Sequence, residues 1–313
     1  MPLAPELEAV AEAAKNFPPA NTLPVAELRA LVRQYAMASP PLDAGLASIV
    51  DRTIPGPGGD LPVRIYTPPG AGPFPILIYL HGGGFMLGDL DTQDMICRAF
   101  ARDAGALVIS VDYRLAPEHR FPAGFEDARA AALWAQEHGA ELNGDPRLLA
   151  IGGDSAGGVL ANAVALSARD QGAPRLCAQM NFYGSCNYPS EPTASSVEFD
   201  AGPILRQSDI QFFWNAYLSD PDREMHNPYA CPYRAESHAD LAPAFIASAE
   251  VDPSRDDTEK YAAKLAAAGN DVVSRRYDGM LHGFLSWVAW LPTAQSAILE
   301  ASAWLKQQYD RAR

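Results

Sequence analysis

The sequence is short of cysteine, of positive charge and of long apolar segments. Its 313 residues include four cysteines, and 24 Lys and Arg residues against 38 Asp and Glu residues give a formal net charge of −14. The longest apolar runs, such as 76–80 and 106–109, fall far short of the roughly 20 residues that a membrane-spanning helix requires. Nucleic-acid binding requires clustered basic side chains, and the sequence has none. We therefore expect no membrane span and no nucleic-acid partner.

The cysteine spacing and the N-terminal residues bear on compartment and metal binding. The four cysteines form no Cys-x-x-Cys pair, so the sequence predicts neither a disulfide framework nor a zinc site. They are Cys97, Cys177, Cys186 and Cys231. Residues 1–15 carry three glutamates where a secretory signal would have a basic and then an apolar region. We expect a cytoplasmic protein with free thiols.

Most of the chain alternates between strand and helix patterns. Continuous apolar runs, which are typical of strands buried on both faces, occur at 76–80, 106–111, 148–151, 176–182 and 244–249, and a last strand is predicted at 272–277. Helical patterns occur at 93–104, 124–138, 156–170, 256–268 and 293–309. This alternation predicts an α/β fold with a mostly parallel central sheet and helices on both faces.

Two segments depart from the alternation. Apolar residues at helical spacing predict helices at 3–15 and 24–38, the second ended by Ser39-Pro40-Pro41, and the next 30 residues predict two short strands at 47–54 and 61–67 joined by a Gly- and Pro-rich turn. From 185 to 229 there is no strand pattern, but there is an aromatic-rich helical pattern at 208–218. Insertions of this length inside a compact domain are usually functional, and we interpret this one, with the N-terminal helices, as a cap.

A Gly-x-Ser-x-Gly motif is formed by Gly153, Ser155 and Gly157. It follows the strand predicted at 148–151 and opens the helix predicted at 156–170. A serine on such a sharp strand-to-helix turn has its Oγ exposed, and the glycines allow the close backbone approach that the turn requires. The motif and its setting predict a nucleophilic serine, Ser155.

A second glycine-rich motif, His81-Gly82-Gly83-Gly84-Phe85, directly follows the strand at 76–80. Backbone N–H groups in such a loop, together with that of the residue after the nucleophile, stabilise the oxyanion formed in acyl transfer. We expect Gly83, Gly84 and Ala156 to supply these groups. His81 precedes the serine in the chain, whereas the general base should follow it, so we interpret His81 as structural.

The remaining catalytic groups are predicted at the carboxyl ends of the last two strands, where ligands collect in open α/β sheets. Asp252 follows the strand at 244–249, and among the six histidines only His282 follows a late strand and precedes a glycine. The order Ser, Asp, His is that of the α/β-hydrolases. Competing carboxylates lie close to Asp252 in the chain. They are Glu250, Asp256 and Asp257.

These motifs as a set resemble the bacterial hormone-sensitive-lipase-like (family IV) carboxylesterases of the α/β-hydrolase superfamily. The resemblance runs from about Pro62 to Phe284. Its segments are HGGGF at 81–85, DYRLAPE at 112–118, FPA at 121–123, GDSAGG at 153–158, Glu-x-Asp-Pro at 250–253 and His-Gly-Phe at 282–284. It implies an α/β-hydrolase fold with a helical cap, esterase activity on small-molecule esters with short acyl chains, no cofactor and no metal. It also implies the triad and oxyanion residues named above.

Two positions depart from the family pattern, because Ser254 stands where the family usually has leucine, and Tyr183-Gly184 where it often has Tyr-Pro. From the break in the alternation we predict N-terminal cap helices (1–45), a first core part (46–184), a cap insertion (185–229) and a second core part (230–313). We expect the acyl pocket to be lined by five apolar side chains, although the aromatic ones could instead make ordinary contacts between cap and core. They are Phe85, Leu205, Phe212, Phe213 and Trp214.

Other readings stay open at this stage. The same triad serves amidases and thioesterases, and a hydrolase scaffold that has lost its triad can act as a ligand-binding protein. The presence of both Ser155 and His282 favours an enzyme. Beyond its substrate, the one partner we consider is a second copy of the chain, in a homodimer.

Overall fold

The computed structural model describes residues 3–38 and 42–313, and within them eight strands form one sheet. The strands are β1 (Ser48–Gly56), β2 (Gly59–Thr67), β3 (Phe74–Leu80), β4 (Leu107–Val111), β5 (Gly144–Asp154), β6 (Ala178–Phe182), β7 (Ala244–Val251) and β8 (Val272–Leu281). Their order across the sheet is β1-β2-β4-β3-β5-β6-β7-β8. β2 is antiparallel to both β1 and β4, and all other neighbours are parallel. The predicted mostly parallel sheet is confirmed.

The helices of the described residues cover both faces of this sheet. They are α1 (Glu8–Ala14), α2 (Val25–Ala36), α3 (Asp94–Ala104), α4 (Ala123–His138), α5 (Ala156–Gln171), α6 (Ala194–Glu198), α7 (Gln207–Tyr217), α8 (Pro221–Glu224), α9 (Arg255–Ala267) and α10 (Pro292–Ala312). Side chains alternate along each strand. Ile76 and Ile78 therefore join the core under α4, α5 and α9, whereas Leu77 and Tyr79 join the core under α3 and α10. This burial on both faces explains the continuous apolar runs in the sequence.

The other predicted elements are also present, with ends shifted by a few residues. β1 and β2 form the predicted hairpin, which closes with Gly56 opposite Gly59. Helices α1 and α2 occupy the N-terminal segment, and α6 to α8 occupy the insertion. The helix stop predicted at 39–41 lies outside the described residues. None of the helices that the structure describes is long and apolar enough to span a membrane.

The topology brings distant parts of the chain to one edge of the sheet. β3, β5, β7 and β8 are parallel, so their carboxyl ends, at Leu80, Asp154, Val251 and Leu281, lie at the same edge. In open α/β sheets this is the edge at which ligands bind. The segments that follow these four strands are the ones in which the sequence analysis placed the catalytic groups.

Candidate active site

Ser155 lies in the tight turn between β5 and α5. Its backbone is strained for a residue with a side chain, with φ 51° and ψ −124°, and its N–H donates to the carbonyl of Phe182 at 2.7 Å. A Cβ at Gly157 would lie 2.0 Å from the Leu80 carbonyl oxygen, which no real contact allows. The glycine of the motif is therefore required by the packing of this turn against β3, and the turn presents Ser155 to a cavity.

Three side chains form a continuous series of short contacts. His282 Nε2 lies 2.9 Å from Ser155 Oγ, and His282 Nδ1 lies 2.7 Å from Asp252 Oδ2. Asp252 is fully buried. These distances fit the tautomer in which Nδ1–H donates to the carboxylate and Nε2 accepts from the serine hydroxyl. The structure thus brings together the three residues that the sequence analysis selected from loops up to 127 positions apart in the chain.

The competing carboxylates bind other groups. Glu250 Oε2 accepts from Gly279 N at 2.7 Å, which ties the end of β7 to the backbone of β8. Asp256 accepts from Ser195 N at 2.8 Å, and Asp257 accepts from Ser185 Oγ at 3.2 Å. Each therefore has a structural partner, and only Asp252 of these four carboxylates is paired with His282.

The glycine-rich loop after β3 lies beside Ser155. Gly83 and Gly84 both have positive φ values, 119° and 59°, and both line the cavity beside Ser155, as does Ala156. A Cβ on Gly83 would lie 2.2 Å from the carbonyl oxygen of Leu87. Glycine here lets the loop fold back on itself, so that its backbone, rather than side chains, faces the nucleophile.

His81 is buried behind this loop. Its ring stacks on Tyr113 with centroids 4.2 Å apart, and its Nδ1 lies 2.8 Å from the Gly82 carbonyl oxygen. Burial lowers the pKa of His81 to about 4, and the contact with the Gly82 carbonyl opposes this shift. A neutral, stacked imidazole with no contact to Ser155 fits the structural role expected from the sequence.

Asp154, beside the nucleophile, is a site residue that the sequence analysis did not select. It lines the cavity but is only 5% exposed, and it accepts from Gln93 Nε2 at 2.6 Å and from Tyr79 OH at 3.4 Å. Burial raises the pKa of Asp154 to about 6, and the nearby His282 opposes this rise. In the sequence, only its position next to the serine of the motif pointed to Asp154. Its partners Gln93 and Tyr79 lie more than 60 positions away in the chain.

The cavity beside Ser155 is lined by residues of the core and of helices α2 and α7. It has a volume of about 280 Å³. Of the side chains predicted to line it, four do, namely Phe85, Leu205, Phe213 and Trp214. Phe212 is not among the lining residues; it packs against the small apolar cluster that includes Leu28 and Met86, as Phe213 also does. Of the aromatic residues of α7, Phe213 and Trp214 thus line the cavity in addition to their packing contacts, whereas Phe212 makes packing contacts alone.

The sequence analysis assigned the N-terminal helices to the cap but named no residue of the N-terminal segment in the cavity lining. Phe17, Leu28 and Val32 face the cavity. Helix α2 is held against the segments that follow β3 and β4 by Arg29, whose guanidinium donates to the carbonyls of Met86 at 2.8 Å and Ala116 at 2.9 Å. The amphipathic pattern of α2 predicted a buried face, but not what that face contacts.

Comparison with known proteins identifies the family and the fold. A family model described as the α/β hydrolase fold matches residues 77–286. The carboxylic ester hydrolase LipN of Mycobacterium tuberculosis is 46% identical over 243 residues, covering 76% of this chain but 64% of LipN, and the carboxylesterase NlhH of the same species is 41% identical over 89% of this chain and 88% of its own length. A hyperthermophilic esterase from the archaeon Pyrobaculum calidifontis superposes with a TM-score of 0.91, at 36% identity and with 98% and 99% of the two chains covered.

The chain therefore belongs to the α/β-hydrolase fold family. Within it, the resemblance to the hormone-sensitive-lipase-like carboxylesterases that the motifs indicated is confirmed. The match spans slightly less than two thirds of the length of LipN.

Proposed function

We propose that this protein is a serine carboxylesterase that hydrolyses short-to-medium acyl esters of small molecules. The observation that carries the proposal is the pair of contacts at 2.9 Å and 2.7 Å that joins Ser155, His282 and the buried Asp252 beneath an apolar cavity. The names of the relatives, among them carboxylesterase, acetyl esterase and carboxylic ester hydrolase, support the same reaction.

In the proposed mechanism, Ser155 Oγ attacks the ester carbonyl while His282 Nε2 takes its proton. Asp252 holds the imidazole in the required tautomer and stabilises the imidazolium that forms. The backbone N–H groups of Gly83, Gly84 and Ala156 are the proposed donors to the oxyanion. His282 then gives its proton to the departing alcohol, and water, activated by the same histidine, releases the acid from the acyl-enzyme.

We further propose that residues 1–45 and 185–229 form the cap over a core made of 46–184 and 230–313. Support comes from the cavity lining, to which Leu28 and Phe213 contribute from these two segments. The cavity volume of about 280 Å³ lies at the small end of the roughly 300–1,000 Å³ found for drug-sized ligands. This size, and the rings of Phe213 and Trp214 in its wall, support a preference for acyl chains of about C4 to C8.

A substrate panel tests the proposal against other acyl hydrolases. p-Nitrophenyl esters from C2 to C16, a matched p-nitroanilide and a matched thioester are assayed with the wild type and with Ser155→Ala. We expect ester turnover to exceed anilide and thioester turnover, and the variant to lose on the order of 10⁴ to 10⁶ in kcat. Faster turnover of the anilide or the thioester would replace the esterase proposal by an amidase or thioesterase. A wild type inactive on the whole panel would favour a ligand-binding role.

The proposal also includes the cellular compartment and the oligomeric state of the protein. The four cysteines all have free thiols, which supports the cytoplasmic location expected from the sequence. The homodimer remains a prediction, which light scattering on the eluting protein would test.

A further inference from the structure

Ser254 occupies the position at which the family usually has leucine, and its hydroxyl contacts the proposed catalytic acid. Ser254 Oγ lies 2.7 Å from Asp252 Oδ1, and Ser254 N donates to the same oxygen at 2.8 Å. The side chain is buried, at 3% exposure. Leucine could supply the backbone N–H but not the hydroxyl, so this chain places one more donor on the carboxylate than the family pattern provides.

The two carboxylate oxygens of Asp252 have separate partners. Oδ2 faces His282 Nδ1 at 2.7 Å, whereas Oδ1 accepts from both groups of Ser254. The backbone N–H would hold Oδ1 even without the hydroxyl, so the hydroxyl is a second donor to that oxygen. Two donors resist rotation of the carboxylate about its Cβ–Cγ bond more strongly than one, and so hold the direction in which Oδ2 meets the imidazole.

The hydroxyl of Ser254 has one proton and two nearby acceptors. The carbonyl oxygen of Tyr183 lies 3.3 Å from Ser254 Oγ, compared with 2.7 Å for Asp252 Oδ1. The shorter distance and the negative charge both favour donation to Asp252, because hydrogen bonds to ionised acceptors are shorter and stronger. His282 Nδ1 lies 3.5 Å from the same oxygen, which is beyond a good hydrogen bond.

We propose that Ser254 is a positioning residue for the triad, whose hydroxyl holds the Asp252 carboxylate in the plane that orients His282. The inference rests on the proposed esterase function. Ser254 acts through Asp252, and its removal therefore slows every step in which His282 moves a proton. Acylation and deacylation are both such steps.

The test compares Ser254→Thr with Ser254→Val, two variants of nearly equal shape of which only the first has a hydroxyl. We expect the valine variant to lose roughly tenfold in kcat, the kinetic equivalent of one hydrogen bond to a charged group, and the threonine variant to stay close to the wild type. KM should change little in both. Ser254→Ala, which introduces no added bulk, should show the same loss as valine.

Two further measurements separate positioning from a general structural role. Urea unfolding should show the valine variant less stable than the threonine variant, because it lacks the hydroxyl bond to the buried Asp252, but both fully folded under assay conditions. Single-turnover assays should show both acylation and deacylation slowed in the valine variant. Equal kcat values for threonine and valine, whether high or low, would overturn the proposal, as would a loss confined to KM.

The failure of this inference is distinguishable from that of the proposed function. If Ser155→Ala is inactive while the threonine and valine variants are equally active, only the role of Ser254 is wrong. If Ser155→Ala keeps its activity, the esterase mechanism itself is wrong.

Discussion

Phe213 should limit the length of acyl chain that the enzyme accepts. It lines the cavity, and its ring packs so closely on the oxyanion loop that a Cβ on Gly84 would lie 2.3 Å from the ring. Phe212, the preceding residue on α7, does not line the cavity. Phe213→Ala should therefore open space beside Ser155, whereas Phe212→Ala should remove apolar contacts outside the cavity.

The size of the effect follows from the apolar area that a longer chain can bury. Each buried methylene contributes about 0.8 kcal/mol, so room for two more should raise the selectivity for C10 over C6 by about 1.6 kcal/mol, or roughly 15-fold. The assay is kcat/KM for p-nitrophenyl esters from C2 to C16. The ratio of C10 to C6 is the quantity to compare, because a disturbed oxyanion loop would lower activity on both esters together.

Phe212→Ala is the matched control, with the same chemical change on the neighbouring residue. It should lower the free energy of unfolding and leave the chain-length profile unchanged. A Phe213→Ala profile identical to that of the wild type would refute the role assigned to this ring. The same shift in both variants would show that α7 acts as a whole and that the orientation of the two rings is irrelevant.

Two further predictions concern carboxylates. Asp252→Asn should lower kcat by roughly 10⁴, because the amide no longer holds the productive tautomer of the histidine. Asp256→Asn and Glu250→Gln should cost far less, and a crippling loss from either in steady-state assays would move the acid to that residue. Burial raises the pKa of Asp154 from 3.8 to about 6, so the folded state holds this proton more tightly than the unfolded state. The stability that this gives the wild type is present at low pH and is lost as pH rises through about 6. Asp154→Asn has no carboxyl group at this position, so its free energy of unfolding lacks this pH-dependent contribution. Urea unfolding should show the variant gaining about 2 to 3 kcal/mol relative to the wild type between pH 4 and pH 7, and a constant difference would contradict the raised pKa.

The parts of the site that follow from steric necessity could be predicted from the sequence. Only small residues fit where backbones approach closely, as at Gly157, where a Cβ would lie 2.0 Å from the Leu80 carbonyl oxygen. The buried parallel strands were equally predictable, since burial on both faces leaves continuous apolar runs. Because the candidate catalytic groups follow the carboxyl ends of those strands, locating the strands also located Asp252 and His282.

Contacts between side chains far apart in the sequence could not be predicted in this way. The helical pattern of α7 shows that it has apolar faces, but not that Phe213 faces the cavity and Phe212 does not. The partners of Asp154 come from β3 and α3, and no periodicity links those positions. Ser254 was visible only as a departure from a family pattern, and the contact of its hydroxyl with Asp252 required the folded geometry.

The central claim is that Ser155 is the nucleophile activated by His282. Its most direct test is intact-mass and peptide mass spectrometry after reaction with a fluorophosphonate ester. We expect a single adduct on Ser155, with hydrolytic activity lost in proportion to labelling, and neither labelling nor activity in Ser155→Ala. An adduct on another residue that accounts for the inactivation, or a Ser155→Ala variant that still hydrolyses esters, would contradict the claim.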